Sequence, residues 1–440
     1  MDKLKVLYHY WRNKHSFKIS SSKKRLRKWQ QKQIRKHLGF VAEYSPYFRE
    51  RFQGKVPSLQ EWPIMDKEAM MKHFDKLNTK GIPKDEAFSV ALQAEENRDF
   101  SPTINGVTVG LSSGTSGHRG VFLVSKSERL RWAGVMLAKA LPGTIFTKER
   151  IAFFMRANSN LYETVGTKKL QFQFYDLLED EDLHVKRLED FQPTILIAPP
   201  SMMRWLAEQR IGIRPKKIIT IAEVLEQVDR DVIKKCFHRT IHQVYQCTEG
   251  FLAATCEEGV LHLNEDILFI EKDYIDEEKK RFHPIITDFS RTSQPIIRYR
   301  LNDILVEKEC GCSCGSPFLA LEAVEGRSDD VFVFKGTEGG SHRVYPDQVR
   351  QWVLKRDGVN AYRVLQNEDG SVEFQLLMNG EERADVEGLL KKEVKQYLEE
   401  RGLEPVIVRF RKYREPRKGE KLKRVVRLGG NDSDQAKVRP

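Results

Sequence analysis

Leu111-Ser-Ser-Gly-Thr-Ser-Gly-His-Arg-Gly-Val-Phe-Leu-Val124 is a hydroxyl- and glycine-rich loop that runs directly into a short apolar run of β type. Glycines let a backbone pass close to a bulky anion and present its N–H groups, and short hydroxyls donate further hydrogen bonds without crowding it. Such a loop suits phosphate. It is not a Walker loop, because no Gly-Lys-Ser/Thr follows at the required spacing and the strand comes after the loop instead of before it. A solvated Ser/Gly linker has the same composition, so the rest of the chain must decide between the two.

Working outward, 440 residues with 40% hydrophobic and 31% charged content are enough for several domains with a substantial core. The 75 Lys and Arg against 63 Asp and Glu give a net charge of +12, which suits polyanionic ligands. Acidic residues are interspersed along most of the chain and the basic excess gathers at its ends. That pattern favours small anions such as ATP or coenzyme A over nucleic acid or an anionic membrane surface. Met1-Asp-Lys-Leu-Lys-Val-Leu-Tyr-His-Tyr-Trp11 has no apolar core beside a cleavage site, and no apolar run approaches the roughly twenty residues that span a bilayer. A cytoplasmic protein without a transmembrane segment is expected. A homodimer is left open.

From about residue 100 short apolar runs (121–124, 151–154, 194–198, 217–221) alternate with helical stretches (127–141, 201–210, 226–237), the pattern of crossover units on a largely parallel sheet. Before them, residues 22–42 predict a basic amphipathic helix with Leu26, Trp29, Ile34, Leu38 and Val41 on its apolar side. Ligand sites in open α/β sheets lie at strand C-termini. Three candidates stand there: Pro199-Pro-Ser-Met-Met203, Ile221-Ala-Glu223, and Gln243-Val-Tyr-Gln-Cys-Thr-Glu249. On the last, Tyr245 can stack on a base, Thr248 can touch phosphate and Glu249 can hold Mg²⁺ through oxygen. Met202 and Met203 offer an adaptable pocket lining, or core. Cys236 and Cys247 read as buried and inert.

Cys310-Gly-Cys-Ser-Cys314-Gly spaces thiols two apart, with glycines that let the chain fold around an ion, and Cys256-Glu-Glu-Gly-Val-Leu-His262 adds a thiol and an imidazole. Cys256, His262, Cys312 and Cys314 would close a tetrahedral structural Zn²⁺ site with no open position, and Cys310 could replace either neighbour. Reduced cysteines in a loop are the plainer alternative. Beyond residue 330, the runs 361–365 and 372–378 alternate around Asn367-Glu-Asp-Gly370 as a hairpin, followed by a helix that stops at Gly402 and a strand at 406–410. This predicts a small α+β unit joined near Asp329.

Ser112-Ser-Gly-Thr-Ser-Gly117, Tyr245-Gln-Cys-Thr-Glu249, Tyr299-Arg-Leu-Asn-Asp303, Gly326-Arg-Ser-Asp-Asp330 and Pro416-Arg-Lys-Gly-Glu-Lys421 stand in one order along the chain. In that order they resemble the adenylate-forming superfamily of acyl-CoA ligases, and within it the phenylacetate–CoA ligase branch, which includes synthetases that adenylylate a deazaflavin coenzyme. The resemblance runs from Ser45-Pro-Tyr-Phe48 and Pro63-Ile-Met-Asp-Lys67 to the last lysine. It implies an α/β fold, with a large N-terminal domain of mixed and parallel sheets and a small C-terminal α+β lid. The expected parts are an N-terminal helical segment (1–99), an ATP- and acid-binding core (100–328), a lid (329–428) and a tail (429–440).

The resemblance also implies roles. Ser112, Ser113, Gly114, Thr115, Ser116 and Gly117 would hold the phosphates of ATP, and Glu249 would place Mg²⁺. Thr248 would sit by the α-phosphate or the acid, Tyr245 against adenine, Asp303 on the ribose diol, and Arg327 on ribose or phosphate oxygens. Glu223 would border the acid and nucleotide. Lys421 would bridge the substrate carboxylate and the α-phosphate, with Lys418 and Lys423 as competitors. Two departures stand out. Gly117-His-Arg119-Gly replaces the usual Gly-Lys-Pro, with Arg119 as the substitute cation, and Gly419-Glu-Lys421 inverts the usual Glu-Gly-Lys. The implied activity converts a small carboxylic acid to its acyl-adenylate, releases pyrophosphate and passes the acyl group to a thiol, expected to be coenzyme A. The alternative is transfer of AMP to a hydroxyl without a thioester.

Overall fold

A computed structural model describes residues 2–19, 22–112, 119–156, 169–378, 383–417 and 420–429. By its internal contacts the chain forms two compact units, one of Met1–Leu301 with Val306–Ala323 and one of Asn302–Leu305 with Val324–Pro440.

In the first unit five strands stand parallel in the order Leu170–Asp176, Glu149–Met155, Ile195–Ala198, Lys217–Thr220 and Ile241–Cys247. Successive strand residues point to opposite faces, so a strand covered on both sides must be apolar throughout. Leu196 and Ile218 accordingly pack with Leu188, Met203, Leu206 and Ile233 on one face. Their neighbours Ile195 and Ile219 pack with Leu130, Ala133 and Leu137 on the other. Met202 and Met203, offered above as a pocket lining, are buried core in the helix Pro200–Glu208.

The sheet then turns antiparallel through Gly250–Thr255 and Leu261–Leu263. It continues with Ala320–Arg327, Asp303–Glu307, Arg281–Asp288 and Leu268–Tyr274. It is therefore mixed, and only about half of it answers to the parallel pattern expected from the sequence. The run at 121–125 is not part of it. Val121–Ser125 pairs antiparallel with Val107–Leu111, which pairs with Thr103–Ile104, in a separate three-stranded sheet. A strand thus precedes the Ser/Gly loop as well as following it. A short apolar run states that a strand forms, but its partner is a long-range property that periodicity does not carry.

The helix Lys126–Ala140 opens with a capping box between Ser125 and Glu128. The buried Glu128 carboxylate also accepts Thr292 N–H at 2.6 Å and Ser293 N–H at 2.9 Å, which pins the segment before Tyr299 to the helix start. In the second unit, Val359–Gln366 and Val372–Met378 form the expected hairpin, flanked by the parallel strands Val425–Arg427 and Val408–Lys412. Trp352, Phe374, Leu390 and Val394 bury the apolar faces of its helices.

Candidate functional site

The mouth of the Ser/Gly loop is drawn shut by its own ends. Ser112 N–H donates to the Gly120 carbonyl at 2.8 Å, and Gly120 N–H donates to Ser112 Oγ at 2.8 Å. Ser113, Gly114, Thr115, Ser116 and Gly117 lie outside the described residues. Arg119, the substitute cation, donates from Nη2 to Glu95 Oε1 at 2.6 Å and from Nε to the Ser112 carbonyl at 3.3 Å. A charge-assisted bond of that length holds the guanidinium beside the loop, with its charge already answered by a carboxylate. A Cβ at Gly120 would come within 3.2 Å of Lys67 Cε, so the loop end and the lysine stem pack closely.

Thr248 and Glu249 form the two-residue connection between Ile241–Cys247 and Gly250–Thr255. Thr248 Oγ1 donates to Glu249 Oε2 at 2.8 Å, and Tyr299 OH donates to Glu249 Oε1 at 3.2 Å. Burial, then the neighbouring carboxylate, raises the Tyr299 pKa well above 10, so the phenol stays a donor at physiological pH. Both carboxylate oxygens are oriented before any ligand arrives. Ser112, Thr248, Glu249, Tyr299, Lys67 and Arg291 line one cavity. Arg291 is buried, and its Nε and Nη2 have no hydrogen-bond partner among the described residues.

Other expected residues fall elsewhere. Tyr245 is half-buried within the strand Ile241–Cys247 and packs against the core that includes Tyr299. Glu223, just past Lys217–Thr220, accepts Ser201 N–H at 3.2 Å and so ties two strand exits together. Cys247 and Cys236 are half-buried, not buried, and Cys247 Sγ lies 3.7 Å from the Gly250 carbonyl. Lys67 and Tyr299 stand in quoted motifs but carry no role in the sequence reading, and Arg291 lies outside every quoted stretch. Asp66 is a legible N-cap, accepting Ala69 N–H at 2.8 Å, but a cap says where a helix starts and not what its first residue faces.

Within the second unit Arg327 Nε stands 3.5 Å from Asp303 Oδ1. Asn302 Nδ2 donates to Asp329 Oδ2 at 3.0 Å. Lys423 Nζ donates to both oxygens of Asp330, at 3.1 and 3.3 Å, while burial pushes the Asp330 pKa up against that pairing. Of the three candidate lysines, Lys423 is thus held by a carboxylate, Lys421 is exposed, and Lys418 lies outside the described residues.

The cysteine residues converge. Cys256 follows the strand Gly250–Thr255, His262 sits in Leu261–Leu263, and Cys312 and Cys314 lie on a turn between Gly311 and Gly315, both at positive φ. Sγ of Cys256 and Cys312 are 3.7 Å apart although 56 positions separate them, and Cys314 Sγ is 3.4 Å from His262 Nε2. The four donor atoms all lie within 4.8 Å of one another. A tetrahedron with arms of about 2.3 Å to sulfur and about 2.0–2.1 Å to nitrogen has edges of about 3.5–3.8 Å, so the set fits Zn²⁺. His262 Nδ1 lies 3.1 Å from the Phe318 carbonyl, which fixes the ring and turns Nε2 to the thiols. Burial lowers the His262 pKa, which keeps the imidazole a neutral ligand. Cys310 is exposed and is not one of the four.

No family model matches the chain. It is 24% identical over 226 residues to protein CapK of Staphylococcus aureus, covering 49% of either chain. It is 22% identical over 209 residues to the phenylacetate–coenzyme A ligase of Thermus thermophilus, covering 43% of this chain and 45% of that one. The chain spans about half the length of these curated relatives. Its fold matches that of 2-hydroxyisobutyryl-CoA ligase, solved in the postadenylation state with 2-HIB-AMP, over 93% of this chain and 90% of that one, with a TM-score of 0.65 at 14% identity. The chain thus shares the fold of that ligase and a low sequence similarity with phenylacetate–coenzyme A ligases. The loop mouth and the Thr248–Glu249 turn share one cavity, and two cations, Lys67 and Arg291, share it with them.

Proposed function

We propose that this protein is an ATP-dependent carboxylate-activating ligase. An oxygen of the acid attacks the α-phosphorus of ATP, the bond to the β-phosphate oxygen breaks, and pyrophosphate leaves. A thiol, for which coenzyme A is the candidate, then attacks the acyl carbon and AMP departs. The observation that carries this reading is the single cavity holding Ser112 and Gly120 at the loop mouth together with Thr248, Glu249, Lys67 and Arg291. Hydroxyl and N–H donors, two cations and one oriented carboxylate suit a magnesium-bound polyphosphate. Glu249 would hold Mg²⁺, which neutralises phosphate charge when bound. Ser113, Gly114, Thr115, Ser116 and Gly117 would cradle phosphate, Tyr245 would border the adenine, and Asp303 and Arg327 would meet the ribose. Lys421 would offset charge where oxygen meets phosphorus. Cys256, His262, Cys312 and Cys314 would hold a structural Zn²⁺.

The test is ATP–pyrophosphate exchange over a broad panel of acids, on wild type and Lys421→Ala. Wild type should exchange with at least one acid, and the variant should lose about 100- to 1,000-fold, since a charge placed at developing charge contributes about 3–4 kcal/mol. Equal exchange by both removes the lysine assignment. Pyrophosphate release without consumption of coenzyme A turns the reading to a hydroxyl acceptor.

A further inference from the structure

The net charge of +12 is not spread over the molecule. Residues 3–42 carry thirteen Lys and Arg and no acid, so the rest of the chain is close to neutral. Most of that charge faces outward. In the helix Lys23–Tyr44, Leu26, Gln30, His37, Leu38 and Val41 are buried, while Lys24, Arg27, Lys28, Lys32, Arg35 and Lys36 are exposed. The helix is tethered to the body, with Trp29 Nε1 donating to the Asp266 carbonyl at 3.0 Å and Gln30 Nε2 to the Glu265 carbonyl at 3.1 Å. Its cations are therefore held in a fixed array.

The preceding helix, Asp2–Ile19, buries Val6 and Tyr10 against the helix Lys126–Ala140. It also shows a second apolar stripe at helical spacing: Leu4 is 69% exposed, Tyr8 60% and Trp11 39%. Phe146, 57% exposed, extends the stripe with its ring centroid 6.2 Å from that of Trp11. Lys3 and Lys5 flank it, and Lys169 stands 5.5 Å from the Phe146 ring. The two helices adjoin, the Arg12 guanidinium lying 5.1 Å over the Trp29 ring.

We infer that this face docks the protein on an anionic lipid bilayer. An apolar stripe rich in aromatics, bordered by cations, matches the headgroup boundary, where rings bury and lysines reach phosphates. A polybasic helix beside it adds attraction to anionic lipid within a Debye length. A second copy of the chain does not fit, because it would set like charge against like. A nucleic acid would use the cations and leave Leu4, Tyr8, Trp11 and Phe146 without purpose. The docking is independent of the proposed ligase activity.

The test is cosedimentation of the intact protein with vesicles of phosphatidylcholine alone or with phosphatidylglycerol added, at about 100 mM and about 500 mM salt. Wild type should bind the anionic vesicles only and be released by salt. Lys24→Gln/Lys28→Gln/Lys32→Gln/Lys36→Gln should weaken partition on the order of 100-fold. Tyr8→Ser/Trp11→Ser should weaken it at the lower salt concentration although every lysine is kept. All six positions are on the surface, so thermal unfolding should match wild type. Absence of vesicle binding by wild type overturns the inference, as does equal partition by the quadruple variant. Retained vesicle binding by Tyr8→Ser/Trp11→Ser removes the apolar stripe and leaves only a general polyanion site, which also overturns it.

Discussion

The cysteine cluster and the loop-mouth cavity are built from the same stock, β-turns joining strands of the first unit, yet their polar groups stand in opposite conditions. Around Cys256, His262, Cys312 and Cys314 the donor atoms point inward at one another at 3.4–3.7 Å, near the edges of a metal tetrahedron. In the cavity Glu249 already takes hydrogen bonds from Thr248 and Tyr299, while the buried Arg291 has Nε and Nη2 without a hydrogen-bond partner among the described residues. A set that is complete only with an ion suits permanent occupancy. A carboxylate already held by its neighbours, beside a cation still short of partners, can take up an anion and release it again.

That contrast can be broken by substitution. The largest effect is expected at the cysteines. Cys312→Ser should abolish retention of about one zinc per chain and lower unfolding stability by more than about 4 kcal/mol, read by elemental analysis and denaturant titration. A stable, metal-free wild type would end the structural-metal reading. Glu249→Gln should behave in reverse. Pyrophosphate exchange should fall on the order of 100-fold, or about 2.7 kcal/mol, with the unfolding midpoint nearly unchanged. Tyr299→Phe removes one hydrogen bond to a carboxylate and should cost exchange about tenfold, about 1.4 kcal/mol. Arg119→Gln is the smallest: with Glu95 already answering its charge, exchange should fall less than about threefold, and a larger loss would show that the ion pair opens to receive phosphate.

Much of this was legible because local chemistry states it. The Asn367–Gly370 hairpin and the alternating strands of the second unit follow from nearest-neighbour spacing. The Cys₃His set was legible for a related reason, since few uses exist for thiols at that density. Other positions are not settled by local chemistry. Tyr245 lies within the strand while its neighbours Thr248 and Glu249 form the turn, and of the two uses open to Met202 and Met203, lining or core, they take the core. Whether a side chain faces core or cleft depends on what packs opposite, and spacing does not record that.

The sequence by itself determined the element types, the mixed α/β class and the identity of the donor groups, because backbone propensity and side-chain chemistry are properties of single residues and their immediate neighbours. Only the tertiary structure decided that Val121–Ser125 leaves the large sheet for a small one, that Lys67 and Arg291 join Glu249, and that thiols 56 positions apart meet. Those outcomes belong to strand pairing and packing between distant segments. Their free energy comes from contacts that do not exist until the chain has folded.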